Sequence, residues 1–190
     1  MNNDNKCKVI VIVAPSGSGK TTIANRLLED FDKIKFSVSA TTRDRRPGEV
    51  DGKHYHFLSE EEFQEKIEEN DFLEWEEFYN DIRYGTLRSE VDKLLNSGYF
   101  PLLDIEVKGA LNIKNIYKDD CVTIFIQPPS LEELKKRLLK RGSESDESLQ
   151  LRLDRARHEL TYADRFDYVV INDELETAYR QVKDIIESFI

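Results

Sequence analysis

Two rhythms alternate along the chain. Short β-branched runs give way to longer stretches where apolar residues return every third or fourth position. Val9–Val13, Lys33–Ser39, Phe100–Glu106, Val122–Gln127 and Tyr168–Ile171 read as strands. Thr21–Asp30, Glu60–Asn70, Glu90–Asn96, Lys108–Tyr117, Leu131–Leu139, Ser148–Tyr162 and Leu175–Phe189 read as helices. Ser59 suits the N-cap of the second helix, Gly98 the stop of the third, and Pro128-Pro129 closes the strand before them. Strands separated by helices of this length predict a mainly parallel sheet with right-handed crossovers. From Thr41 to Tyr84 charge and aromatic content rise and the rhythm breaks, so this stretch reads as an insertion with short strands of its own. The fold expected is α/β, a central parallel sheet flanked by helices and carrying an inserted lobe.

The first strand runs into Ala14-Pro15-Ser16-Gly17-Ser18-Gly19-Lys20-Thr21-Thr22, and a helical pattern follows at once. A Gly/Ser loop ending in Gly-Lys-Thr between strand and helix is a phosphate-binding P-loop, in which backbone N–H groups converge on a nucleoside triphosphate. Lys20 would reach the β- and γ-phosphates, and the Thr21 hydroxyl would ligate Mg²⁺ together with waters. Ala14 stands where the pattern expects its first Gly. A positive φ there would cost Ala about 1–2 kcal/mol, and a negative φ nothing.

Bulk properties narrow the partners. The 190 residues suit one domain, and the net charge of −10 argues against the basic field that nucleic acid or a membrane surface requires. Cys7 and Cys121 lie far apart, as reduced thiols of a cytoplasmic protein do, and the apolar run after the polar N-terminus is too short for a signal peptide or membrane span. Against this acidic background Arg43, Arg45 and Arg46 cluster before the turn at Pro47-Gly48. Beside a P-loop, such a cluster suits a second phosphate-bearing substrate, because the planar guanidinium fork grips phosphate in two places. Two unit charges 4 Å apart at an effective dielectric of 20 repel by about 4 kcal/mol, so fixed cations are needed to bring two phosphates together.

The run Ser37-Val38-Ser39-Ala40-Thr41-Thr42-Arg43-x-x-Arg46-Pro47-Gly48-Glu49-x-Asp51-Gly52-x-x-Tyr55 resembles the acceptor-phosphate segment of guanylate kinases. Phe72-Leu73-Glu74-Trp75, Tyr84-Gly85-Thr86, Leu103-Asp104-Ile105-Glu106, Pro128-Pro129-Ser130 and Ile171-Asn172-Asp173 resemble further blocks of that family, in its order and over nearly the whole chain. The resemblance implies transfer of the ATP γ-phosphoryl group to GMP, and to dGMP, within a P-loop kinase fold. It divides the chain into a core at about 1–38, 88–138 and 163–190, a GMP-binding lobe at about 39–87 and a lid at about 139–162.

By the same resemblance, Ser39, Arg43, Arg46, Tyr55 and Tyr84 hold the GMP phosphate. Glu74 and Thr86, with Gly85, read the guanine above the acidic pair Asp104 and Glu106. Guanine presents N1–H and an exocyclic amine side by side, which one carboxylate can accept together, whereas adenine would oppose its N1 lone pair to that carboxylate. Glu106 replaces the family's usual Asp with a longer acid. Asn80-Asp81-Ile82-Arg83-Tyr84-Gly85 holds one residue more than the family's segment, with Arg83 where the first Tyr of a pair is usual. Period-two alternation sets Asp104 and Glu106 on one face of their strand.

The resemblance also implies that Arg141 and Arg152, with Arg137 beside them, are lid arginines and that Asn172 falls near the adenine of ATP. Lys20, Arg43, Arg141 and Arg152 are the expected catalytic cations. Arg155, Arg157 and Lys140 read as exposed helix-face charges, and Trp75 as core packing beside Glu74. His54, His56 and His158 lack metal-ligand spacing. Two other readings share these features: a non-catalytic guanylate-kinase-like module that binds phosphopeptides, and a P-loop kinase with another phosphorylated acceptor. The intact Gly19-Lys20-Thr21 tells against the first, and the guanine-matched Glu74 with Thr86 against the second. Oligomeric state leaves no mark on the sequence.

Overall fold

A computed structural model describes residues 8–78, 81–140 and 146–190. Five parallel strands form the central sheet in the order β2-β7-β1-β8-β9. They are β1 (Val9–Val13), β2 (Ile34–Phe36), β7 (Phe100–Asp104), β8 (Cys121–Gln127) and β9 (Tyr168–Ile171). β1 lies at the centre, with Ile10 opposite Leu102 on one side and Val122 on the other. Its side chains are buried on both faces, the pattern of a strand covered by helices front and back.

Alternation along β1 divides the interior in two. Ile10 and Ile12 pack with Ile23 and Leu27 of α1 (Lys20–Asp30) and with Ala178, Tyr179, Val182 and Ile186 of α7 (Leu175–Phe189). Val9, Val11 and Val13 face α3 (Arg88–Asn96) and α4 (Val107–Tyr117) through Val91, Ala110 and Ile113. Burying a side chain of this size removes roughly 1.5–3 kcal/mol of apolar exposure, so these two layers fix the sheet and the loops at its carboxyl edge.

The break in rhythm after β2 is a second sheet, ordered β4-β3-β6-β5. It comprises β3 (Ala40–Thr41), β4 (His56–Phe57), β5 (Phe72–Glu77) and β6 (Arg83–Leu87), with α2 (Glu60–Glu68) packed on it. Ser59 caps α2 in a reciprocal capping box with Glu62, as its position promised. The strand expected over Lys33–Ser39 is only Ile34–Phe36, because after the Ser37 N–H bond to the Leu102 carbonyl the chain leaves for the second sheet. The strand expected to reach Glu106 ends at Asp104, and Glu106 instead occupies the N-cap of α4. α5 (Leu131–Lys140) and α6 (Asp146–Leu160) pack together through Leu134, Leu138, Leu149 and Ala156. Among the described residues no helix is long and apolar enough to cross a membrane.

Candidate active site

The loop between β1 and α1 is a turn closed by the Ser18 N–H bond to the Pro15 carbonyl at 3.0 Å. Gly17 and Gly19 hold φ values of 92° and 93°, conformations in which an L side chain is strained. Ala14 is absent from the residues with positive φ, so the Ala there carries no backbone strain. Ala14 and Pro15 are buried behind the loop, while Ser16 and Thr22 are exposed. A Cβ on Gly19 would overlap the Asn172 amide, which braces the loop by donating to the Ser18 carbonyl at 2.7 Å. Asn172 is therefore turned into the protein beneath the phosphate loop, with its donor engaged by backbone.

Lys20, the first residue of α1, forms an ion pair with Asp104 at the carboxyl end of β7. Thr21 follows with its side chain exposed on the first helical turn, where the helix N-terminus favours an anion. Its hard hydroxyl oxygen suits Mg²⁺, which takes few protein ligands and completes its shell with water and phosphate oxygens. No cluster of three or more His, Cys, Asp or Glu suited to a metal occurs among the described residues.

Beside the P-loop lies a pocket of about 360 Å³ between the two sheets. Lys20 and Asp104 border it from the core, Ser39, Tyr55 and Tyr84 from the lobe, and Glu74, Gly85 and Glu106 also line it. Strand pairing sets Glu74 of β5 opposite Thr86 of β6, and the Thr86 hydroxyl donates to Glu74 Oε1 at 2.5 Å. Burial pushes the Glu74 carboxyl up to about 7, despite the opposing Thr86 hydrogen bond. Glu74 fits there because α4 presents Gly109: a Cβ at 109 would overlap Glu74 Oε2 and stand 2.9 Å from its Cδ. Gly109→Ala is expected to displace that carboxylate and lower kcat/KM for GMP about 10²-fold with KM for ATP unchanged, measured by steady-state kinetics.

The arginine turn is organised by a residue the sequence reading passed over. Glu49 accepts two bonds from Arg43, at 2.9 and 2.8 Å, and one from the Arg46 N–H at 2.7 Å. These contacts, led by Arg43, hold the Glu49 carboxyl down at about 2. Arg43 also lies 5.3 Å from the Tyr55 ring centroid, and Tyr55 meets Tyr84 edge to face at 5.9 Å. The Arg46 side chain is exposed at the rim. Glu49 follows the cluster, beyond Pro47-Gly48, and only the turn brings it back onto Arg43 and the Arg46 backbone.

From the lid side, Arg152 of α6 donates to the Ser16 hydroxyl at 2.9 Å, reaching the P-loop directly. Arg137 of α5 donates to the carbonyls of Asn172 and Asp173 at 2.8 and 3.2 Å. Arg141 lies outside the described residues. Two expectations fail. Trp75 is 44% exposed, because the residue after Glu74 on a strand faces the other way, and Arg83 lies 6.0 Å over its ring. Arg155 is half-buried and paired with two carboxylates instead of facing solvent.

A P-loop with its lysine at the edge of a parallel sheet, facing a pocket whose Tyr55 is backed by Arg43 of an inserted lobe, defines a kinase for a small phosphorylated acceptor. The guanylate kinase family model matches residues 6–189, and the chain belongs to the guanylate kinase family. A guanylate kinase of Salinibacter ruber is 54% identical over 182 residues, spanning 96% of each chain. One of Chlorobium luteolum is 50% identical, spanning 96% of this chain and 92% of its own. The crystal structure of guanylate kinase from Anaplasma phagocytophilum superposes with a TM-score of 0.76 at 30% identity, over 97% of this chain and 86% of that one.

Proposed function

We propose that the chain transfers the γ-phosphoryl group of ATP to GMP, and to dGMP, releasing ADP and GDP or dGDP. The observation that carries this reading is the buried Glu74 carboxylate, paired with Thr86 on the floor of a pocket that opens toward Lys20. In this reading Glu74 accepts guanine N1–H and the exocyclic amine, and the Thr86 hydroxyl turns to O6. Ser39, Arg43, Arg46, Tyr55 and Tyr84 hold the acceptor phosphate, with Gly85, Asp104 and Glu106 completing the pocket wall. Residues 14–22 hold the ATP phosphates, with Arg137 beside the lid arginines and Asn172 bracing the loop through the Ser18 carbonyl. The lobe, at about 39–87, and the lid, at about 139–162, are the parts that close over the two substrates.

The acceptor needs no general base, since the second pKa of a phosphate monoester is near 6 and its oxygens are largely deprotonated at neutral pH. One of them attacks the γ-phosphorus in line while the bond to the β–γ bridging oxygen breaks, and ADP leaves. Lys20, Arg43, Arg141 and Arg152 stabilise charge on the transferring group. Thr21, with waters, would hold Mg²⁺, which would supply charge neutralisation on the triphosphate. A buried, reduced Cys121 and an acidic surface suit action on free nucleotides in the cytoplasm.

The test is ADP release from Mg-ATP with GMP, dGMP, AMP, UMP and CMP offered in turn. GMP and dGMP are expected to turn over, AMP to be nearly silent, and chelation of Mg²⁺ to abolish the signal. Comparable kcat/KM with AMP would overturn the guanine assignment. Silence with every nucleotide from folded protein would favour the binding-module alternative.

A further inference from the structure

α6 lines a cavity next to the acceptor pocket. Arg155 reaches back from this helix and donates through Nη2 to Glu106 Oε2 at 2.9 Å and through Nε to Glu159 Oε1 at 2.8 Å. Its guanidinium also lies 4.9 Å from the Phe78 ring centroid. Glu106 sits where two spaces meet, lining both the acceptor pocket and a neighbouring cavity of about 380 Å³ that Arg155 and Glu159 border. Glu76 lines both spaces as well.

Two carboxylates, Glu106 and Glu159, thus share one guanidinium, and Glu76 lines the same cavity. Burial, with repulsion from Glu106, raises the Glu159 carboxyl above its ordinary range. Removing the cation would leave the Glu106 carboxylate beside Glu159 and Glu76 without its counter-charge, and it would swing away. An Arg is suited to this place because its rigid fork can hold two carboxylates at once while its flat face rests on an aromatic ring. A Lys offers a single point charge. Three residues earlier on α6, Arg152 touches Ser16 of the P-loop, so one helical turn bears on the donor loop and the acceptor floor together.

We propose that Arg155 is a positioning residue for the acceptor, orienting the Glu106 carboxylate at the pocket floor and docking α6 against it. The proposal rests on Glu106 contacting the acceptor, as read above. In steady-state kinetics Arg155→Gln is expected to raise KM for GMP about tenfold and to leave KM for ATP within about twofold. Arg155→Lys, which keeps the charge and carries the same test if the Gln variant does not fold, is expected to recover about half of that loss on a logarithmic scale. Since Arg155 acts through Glu106, adding Arg155→Gln to Glu106→Gln is expected to change KM for GMP by less than about twofold. Equal rises in both KM values, full multiplication in the double variant, or an unchanged KM for GMP would each overturn the proposal. If Glu106→Gln raises KM for GMP while the Arg155 variants do not, the role of Arg155 fails and the site assignment stands. If Glu106→Gln is itself silent, the assignment of Glu106 to the acceptor fails with it.

Discussion

Glu74→Gln is expected to lose about 10³-fold in kcat/KM for GMP, because a carboxylate that accepts two donors from guanine becomes an amide that offers one acceptor and one opposing donor. Stability moves the other way. In the empty pocket burial holds the Glu74 carboxyl up at about 7, above the ordinary 4.5, so the folded chain binds this proton more tightly than the unfolded chain does. The resulting stabilisation is complete below pH 4.5 and is lost as pH rises through 7, a difference on the order of 3 kcal/mol. The variant should therefore unfold at a higher Tm than its parent at pH 8, and the gain should vanish at pH 4. Guanine reverses the preference, since its two donors favour the ionised acid. Plotted against pH, kcat/KM for GMP should fall below an apparent pKa near 7 in the parent and lose that limb in the variant. The GMP phosphate contributes its own limb near 6 to both.

Lys20→Met should lower kcat by about 10³-fold with both nucleotides saturating, the scale of one lost preorganised cation at a phosphoryl-transfer centre. The expected kinetic signature separates it from Glu74: KM for GMP changes little, and raising either substrate restores nothing. Lys20 also pairs with Asp104, so the variant leaves that carboxylate without its ammonium partner at the boundary of the two substrate sites. A thermal melt distinguishes a folded, inactive enzyme from an unfolded one. A kcat within tenfold of the parent would refute the role given to Lys20.

What the sequence made legible was local in the chain. The β1 run, the Gly17–Thr21 loop and α1 follow one another without interruption, so their chemistry and geometry are written in adjacent residues. Glu74 and Thr86 were found as types at family positions, and antiparallel pairing across two adjoining strands then brought them together. The misses share a different cause. Glu106 was read by strand alternation, but the backbone leaves the sheet after Asp104, and the acid reaches the pocket from a helix N-cap. Gly109 matters only because a distant β5 carboxylate passes over it. Arg155 looked like solvent decoration because its partners Glu106 and Phe78 come from remote segments. Trp75 was misread because burial was inferred from residue type instead of the face its strand presents.

The second sheet has only a slight interior of its own: Ala40, Phe63, Phe72 and Leu87, beside the two large clusters of the parallel sheet. A nucleus that small opens by sub-global unfolding at less free energy than the whole molecule needs. The residues proposed to read guanine thus sit on a nucleus no larger than the one joining α5 and α6. Their amides are expected to exchange ahead of those of the parallel sheet and to be protected by bound GMP, which hydrogen exchange would measure. Part of the acceptor's intrinsic affinity is thus spent on ordering its own binding surface, and tightening this four-residue nucleus would raise apparent affinity without adding a contact to the nucleotide.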